Sequence, residues 1–418
     1  MPVKGKAVVI GGGTVFHVRP HLALSAPAYG STATYLARML RRDGWDTELV
    51  LTKMAGGGRL ETNADIQRYI EKEVLPNPDV KVLVMSAALC DYEGFVCYPF
   101  DVSAPVPVTD SGKNQPRLKT SEGKQHLWLE PANKVINQIR KTRKDIFLVG
   151  FKTTAGAPEQ EMFHAGLGLL KNNSCNLVFA NDVHNHNQMI ITPEQAVYGD
   201  NTRRDSALDK LAEMITARAN LTFTRSTVVE GERVAWGSDL VPPALRKVVD
   251  YMIAKGAYKP FQGATVGHFA VKIGDGQFLT SIRKSNFNDL GNVGLVRVET
   301  QGVDQVVAYG ARPSVGGQSQ RLVFGQHPDV DCIAHAHVSL SAYAKDDIPV
   351  RPQWKFECGS HECGQNTSSG LKDFGGGIKA VMLDQHGPNI VFSRNADPDQ
   401  VIRFIEANWD LDRQTSPL

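Results

Sequence analysis

The sequence has no long apolar run. No stretch of its 418 residues approaches the ~18–20 consecutive apolar positions that a membrane helix needs, so no membrane partner is expected. The opening Met1–Lys6 is followed only by the short run Ala7–Ile10, too brief for the core of an export signal. A surplus of one charge is also missing: 46 Lys+Arg against 44 Asp+Glu leaves a formal +2, with no basic block to grip nucleic acid. The six cysteines are scattered and do not make a disulfide framework, which predicts reduced thiols and a cytoplasmic protein. Internal repeats and low-complexity segments are absent as well. What remains is the composition of a folded chain, 42% hydrophobic and 22% charged. It is too long for one ordinary domain, since ~150 residues per domain gives two or three.

The first half alternates apolar runs with helical spacing. Ala7–Ile10, Thr47–Leu51, Val80–Ala87, Ile146–Phe151 and Asn176–Ala180 read as strands. Thr32–Arg42, Asn63–Glu73, Pro131–Lys141, Pro158–Lys171 and Ser206–Ala217 read as helices, with Asn63 or Asp65 near the cap of the second. This alternation predicts an α/β domain with a parallel, Rossmann-like sheet that binds ligands where the carboxyl ends of the strands meet loops. Glu93–Gln125, rich in Pro, Val, Ser and Gly, breaks the rhythm and reads as a flap. Asn220–Trp236 reads as a connector. Beyond it, Gly-punctuated strands (Gly267–Ile273, Gln277–Ser281, Val293–Glu299, Gln305–Ala308, Cys332–Ala336, Ala380–Leu383, Ile390–Ser393) and outer helices (Pro243–Gly256, Gln320–Gln326, Pro398–Trp409) predict an α+β domain. The expected boundaries are 1–220 and 240–418.

Gly11-Gly12-Gly13-Thr14 follows a buried strand. Glycines let backbone approach a phosphate and leave N–H groups to bind its charge. The spacing fits neither G-x-G-x-x-G nor the Walker pattern, which argues against an NAD site or a P-loop. Small residues and an acid follow another strand in Ser86-Ala87-Ala88-Leu89-Cys90-Asp91-Tyr92. Arg117-Leu118-Lys119 sits in the flap, and Val149–Thr153 and Phe179–Val183 close two more strands. In this order, residues 5–200 resemble the phosphopantothenate–cysteine ligase family, the DNA/pantothenate metabolism flavoprotein C-terminal domain. The resemblance implies activation of a carboxylate by a magnesium-bound nucleoside triphosphate, CTP or ATP, before ligation to an amine. It places Lys119 at the catalytic lysine, where charge develops on phosphate. It also gives Asp91 a catalytic, base-recognising position and makes Gly11, Gly12, Gly13, Thr14, Ala87, Phe151 and Asn181 the nucleotide-binding set. One feature departs: the family's asparagine loop is replaced by His21–Gly30, which contains no asparagine.

The second half carries Ile333-Ala334-His335-Ala336-His337 and, after a later strand, Asp384-Gln385-His386-Gly387. Histidines at i and i+2 of a strand face one side and can share a metal, and a third imidazole completes a catalytic-type site with an open position. Residues 240–410 resemble the class II aldolase/adducin family in His327–His337, in Asp384–Gly387, and in Gly267–Ala270 and Ala311–Ser314. This likeness implies that His335, His337 and His386 hold a divalent metal, zinc, for aldolase-type chemistry on a small hydroxy-carbonyl compound, phosphorylated or not. The family's catalytic acid is missing, for Pro313-Ser314-Val315 runs into Gly316-Gly317, and Gly267-His268 replaces Gly-Asn. Cys358-Gly359-Ser360-His361-Glu362-Cys363 reads as a turn into a helix, and His184-Asn185-His186 as a loop. The joint expectation is a two-module ligase and lyase acting on small molecules, and both resemblances imply a homo-oligomer. Two alternatives stay open: a single-site lyase with a structural ligase-like domain, and a scaffold whose sites have decayed.

Overall fold

The computed structural model describes residues 5–97, 109–199 and 203–418; residues 98–108, part of the expected flap, therefore fall outside the described residues. The chain divides into two compact units, one of Met1–Ala157, Ala165–Ile190 and Gly199–Ala219, the other of Pro158–His164, Ile191–Tyr198 and Asn220–Leu418. The apolar runs of the first unit become five strands: β1 (Lys6–Gly11), β2 (Asp46–Leu51), β3 (Val80–Met85), β4 (Phe147–Thr154) and β5 (Leu177–Asp182). They are parallel and lie in the order β5-β4-β3-β1-β2. Ala7–Ile10, Val82–Val84 and Leu177–Ala180 are at most 1% exposed, as expected of central parallel strands covered on both faces. The chain leaves β1 toward β2 on one side and returns to β3 on the other. The crevice of such a sheet therefore opens beyond Gly11 and Met85.

Three local expectations change. The link from β1 to β2 contains a hairpin, Thr14–Arg19 paired with Leu22–Ala26, before the expected helix α1 (Ser31–Arg42). Its second strand is mostly exposed and offers no apolar period to read. The helix at 63 is capped by Thr62, one residue earlier than expected. The Thr62 hydroxyl accepts the Asp65 N–H at 3.1 Å while the Asp65 carboxylate accepts the Thr62 N–H at 2.9 Å, a capping box. That helix runs Asn63–Tyr69 and continues as one π turn to Val74. Pro131 ends a strand (His126–Pro131) instead of opening a helix, and only Val135–Gln138 and Ile139–Thr142 are helical.

In the second unit a mainly antiparallel sheet holds β6 (His268–Gly274), β7 (Gln277–Ser281), β8 (Leu295–Gln301), β9 (Gln305–Tyr309), β10 (Cys332–His335), β11 (Ile378–Leu383) and β12 (Gly387–Phe392). Their order is β9-β8-β7-β6-β10-β12-β11. The expected connector supplies Arg225–Val229, which joins β9 in parallel at the edge. Alternation along the strands feeds two cores. Phe269, Val271 and Ala334 enter one with α2 (Pro243–Ala254) and Trp236; Ala270 and Ile333 enter the other with Val323 and Phe324 of α3 (Gly317–Gln326). Phe269, fully buried, meets the rings of Trp236, Tyr258 and Phe287 at centroid distances of 5.4, 6.3 and 5.0 Å. A side chain buried this way contributes about 1.5–3 kcal/mol. Because Ala334 and Ala336 belong to the first core, His335 and His337 share the phase of Ile333, on the α3 side of the sheet.

Candidate functional sites: a three-histidine centre and a nucleotide edge

His335 ends β10, His337 lies two residues beyond it, and the turn between β11 and β12 delivers His386. In that turn the His386 N–H donates to the Leu383 carbonyl at 3.0 Å and Gln385 takes φ 57°. Gly387 follows at φ 127°, and a Cβ there would lie 2.1 Å from the Ala336 oxygen, so glycine is required for the turn to press against β10. The three rings form a triangle with centroid separations of 5.1, 4.7 and 4.8 Å. One ligand atom from each lies within 4.8 Å of the other two, and all three residues are at most 4% exposed.

The donor set fits a metal. His335 donates its Nδ1–H to the Pro388 carbonyl at 2.6 Å, which leaves its Nε2 lone pair buried without a hydrogen-bond partner. That is the arrangement by which a backbone carbonyl orients a metal-binding imidazole. Left empty, such a buried polar atom costs about 1–3 kcal/mol. Burial pushes the His335 ring down to about 4, with the Pro388 hydrogen bond opposing it, so at neutral pH the ring carries a free lone pair.

A fourth imidazole lies against this triangle. In the β6–β10 register His268 stands opposite His335, with ring centroids 4.8 Å apart. Gln320 of α3 holds His268 Nδ1 at 2.8 Å. The ring fills the space beside Gly316: a Cβ on Gly316 would lie 2.2 Å from His268 Cδ2. The glycine found where an acid was expected is thus the seat of a histidine. The sequence showed the unusual Gly267-His268; the strand register that sets it beside His335 was not readable from one strand.

In the first unit the expected nucleotide residues fall along one edge. Gly11 ends β1 and Gly12 and Gly13 follow it, Ala87 follows β3, Phe151 lies on β4 and Asn181 on β5. Phe151 and Phe179 stack with centroids 5.3 Å apart, and Asn181 pairs with Thr153 across the two strands. The glycine loop is tightly tied to its own chain. Gly13 donates its N–H to Ala28 at 2.7 Å and Thr14 to Ala88 at 3.0 Å, while the buried Thr14 hydroxyl donates to Asn63 Oδ1 at 2.7 Å and accepts the Cys90 N–H at 2.9 Å. Asp91 is exposed at the turn before the flap strand Tyr92–Cys97 and pairs with Lys134. Lys119 is exposed on the return of the flap, where its N–H donates to Glu122 at 3.4 Å. Among the described residues no hydrogen bond or ion pair joins Asp91 or Lys119 to the glycine loop, Phe151 or Asn181. The flap is anchored by buried Arg19, which donates to Thr109 Oγ1 at 2.7 Å and to the Asp110 carbonyl at 2.8 Å.

Asp182 was passed over in the sequence, and it organises this edge. Its carboxylate accepts the Thr154 hydroxyl at 2.8 Å and four backbone N–H groups, from Gly156, Ala157, His184 and Asn185, at 2.8–2.9 Å. These donors, led by Asn185, hold the carboxyl far below the usual carboxylate range. The signal was the Asn-Asp pair at a strand end, since a short acid there turns loop N–H groups inward.

Among the described residues no helix is long and apolar enough to cross a membrane. The solved DNA/pantothenate metabolism flavoprotein of Streptococcus pneumoniae is 18% identical to this chain, covering 50% of it and 96% of its own length, with a TM-score of 0.42. An L-fuculose 1-phosphate aldolase structure is 16% identical, covering 39% of this chain and 80% of its own, with a TM-score of 0.30. Among curated proteins, the coenzyme A biosynthesis bifunctional protein CoaBC of Thermococcus kodakarensis is 25% identical over 187 residues, which are 43% of this chain and 42% of that protein. The chain thus spans less than half of that relative. The model of the DNA/pantothenate metabolism flavoprotein C-terminal domain matches residues 3–219, just over half of the chain, and the chain belongs to that family.

Proposed function

We propose that this chain is a two-module metabolic enzyme. Its first unit binds magnesium-CTP or magnesium-ATP and activates a carboxylate for ligation. Its second unit is a divalent-metal-dependent, aldolase-type lyase for a small hydroxy-carbonyl compound. The observation that carries the second half is the buried triangle of His335, His337 and His386 with the His335 lone pair turned inward. Zinc suits three imidazoles, and when bound it would polarise a carbonyl oxygen. The chain's own residues do the rest. The Pro388 carbonyl orients His335, and the two cores keep bulk water from the rings. Arg283 and Arg312 supply cationic recognition. Burial and then the neighbouring charge of Arg312 lower the pKa of Arg283, and neither guanidinium has an ion-pair partner among the described residues. Such a pair suits a carboxylate or phosphate of the substrate.

Family membership supports the first half, together with the alignment of Gly11–Gly13, Ala87, Phe151 and Asn181 along the crevice edge. Lys119 on the flap is the proposed charge-stabilising lysine. Calorimetric titration of the metal-analysed protein with CTP and ATP plus magnesium tests this half. Binding of one nucleotide, weakened about tenfold in Lys119→Ala, supports it. If neither nucleotide binds, the reading reduces to the single-site lyase. The proposal also includes a homo-oligomer, and a concentration-independent monomer in light scattering would remove that part.

A further inference from the structure

Outside the three-histidine triangle, the second unit holds a pair of cysteines that neither proposed reaction uses. Cys358 and Cys363 flank the start of helix α4 (His361–Gly370). Gly359 between them takes φ 90°, and a Cβ there would lie 2.4 Å from the Val315 oxygen, so this tight turn folds the chain back and requires glycine. Ser360 then caps the helix, accepting the Cys363 N–H on its hydroxyl at 3.0 Å. The two thiols hydrogen-bond each other as a result. Two further donors converge on the Cys363 sulfur: the Gln353 amide at 3.3 Å and the Ser319 hydroxyl at 3.9 Å. Cys363 is fully buried and Cys358 half-buried, so Cys358 is the nearer of the two to solvent.

The polarity of the pair follows from these contacts. The Cys358 hydrogen bond, joined by those of Gln353 and Ser319, lowers the Cys363 pKa, while the same thiol–thiol bond and burial raise that of Cys358. The Arg283 guanidinium lies close enough to feel the charge of Cys358. Two thiols held side by side, one of them half-buried, are the arrangement of a redox-responsive pair.

We propose that Cys358 and Cys363 form a redox-active dithiol, a modification site that a hydroperoxide closes to a disulfide and a thiol reductant reopens. Hydrogen peroxide is the two-electron acceptor. The Cys358 sulfur attacks one peroxide oxygen and gives up its proton; the O–O bond breaks and the leaving hydroxide takes up that proton as water. The Cys363 sulfur then attacks the Cys358 sulfur of the sulfenic acid, its S–H proton goes to the departing hydroxide, and the second water leaves. In sum, two S–H bonds and one O–O bond break, one S–S bond forms, and two waters are released. Ser319, which touches Cys363, and Val315, which packs against Gly359 between the cysteines, lie on either side of Gly316, the seat of His268, so the pair's redox state bears on the wall beside the three-histidine centre.

The test uses the full chain in its native state. Cleavage after Lys355 and Lys372 gives one peptide, residues 356–372, that contains both cysteines and no others. The protein is treated with a few equivalents of hydrogen peroxide, blocked with a maleimide, digested without reductant and weighed. The expected result is a 356–372 peptide two hydrogens lighter and carrying no maleimide, restored to two labelled thiols by dithiothreitol. Two maleimides on that peptide after peroxide would overturn the proposal. So would added oxygens without loss of two hydrogens, or linkage to another cysteine. Cys358→Ser and Cys363→Ser should each abolish the light peptide, but the wild-type measurement decides the matter even if a variant fails to fold.

Discussion

The two units hold their candidate sites in opposite ways. In the second, three side chains from two strand ends converge into a buried triangle, and their donor atoms already lie within 4.8 Å of one another. In the first, the candidate residues lie along the ends of four strands, and the two charged ones, Asp91 and Lys119, stand exposed on a turn and a flap. A metal site needs a few lone pairs at one point and can be preformed by packing. A nucleotide is long, and its site is written in backbone, strand order and loops that need close only around the ligand.

The sharpest way to break this comparison is to remove one corner of the triangle. His335→Ala or His386→Ala should lower divalent-metal affinity by more than ~100-fold, since each removes a direct ligand. Nucleotide titration of the same variants should be unchanged, and a matching loss there would mean that the two sites are not separate. Asp182→Ala tests the other side. It strands four backbone N–H groups and a hydroxyl, and a loss of about 2–4 kcal/mol is expected by denaturant unfolding. Hydrogen exchange should quicken at residues 154–157 and 184–185 while metal content holds. Gly316→Ala should cost about 1–3 kcal/mol, because its methyl would enter the His268 ring. His268→Ala combined with it should recover much of that loss, and no recovery would remove His268 as the reason for the glycine.

The smallest effect is a pH dependence confined to the first unit. Lys113, followed by Lys53 and His17, holds the Glu61 carboxyl at about 2 against an ordinary 4.5, with burial opposing. A carboxylate depressed on folding stabilises above its unfolded pKa, and that stability is lost as pH falls through the folded value. Wild type should therefore exceed Glu61→Gln by about 1–2 kcal/mol above pH 4.5, after allowance for solvent screening, with the gap closing between 4.5 and 2. A gap that persists at the acid end would assign the effect to packing.

Legibility in the sequence followed the same divide. The parallel strands were readable because Ala7–Ile10 and Val82–Met85 are apolar without interruption, and the triangle because i, i+2 spacing on a strand fixes a common side. The Thr14–Ala26 hairpin was not, since its second strand lies exposed and carries no period. His268 beside His335 could not be read either, because strand pairing between residues so far apart is a property of the sheet. Asp182 had only the Asn-Asp pair at a strand end to mark it, because four of its five partners are backbone N–H groups with no residue type to announce them.

The most direct test is elemental analysis of the purified full chain by inductively coupled plasma mass spectrometry, before and after dialysis against zinc and removal of free ion. The account predicts about one divalent ion per chain, lost in His335→Ala. A wild-type protein that holds no divalent ion under either condition would contradict it.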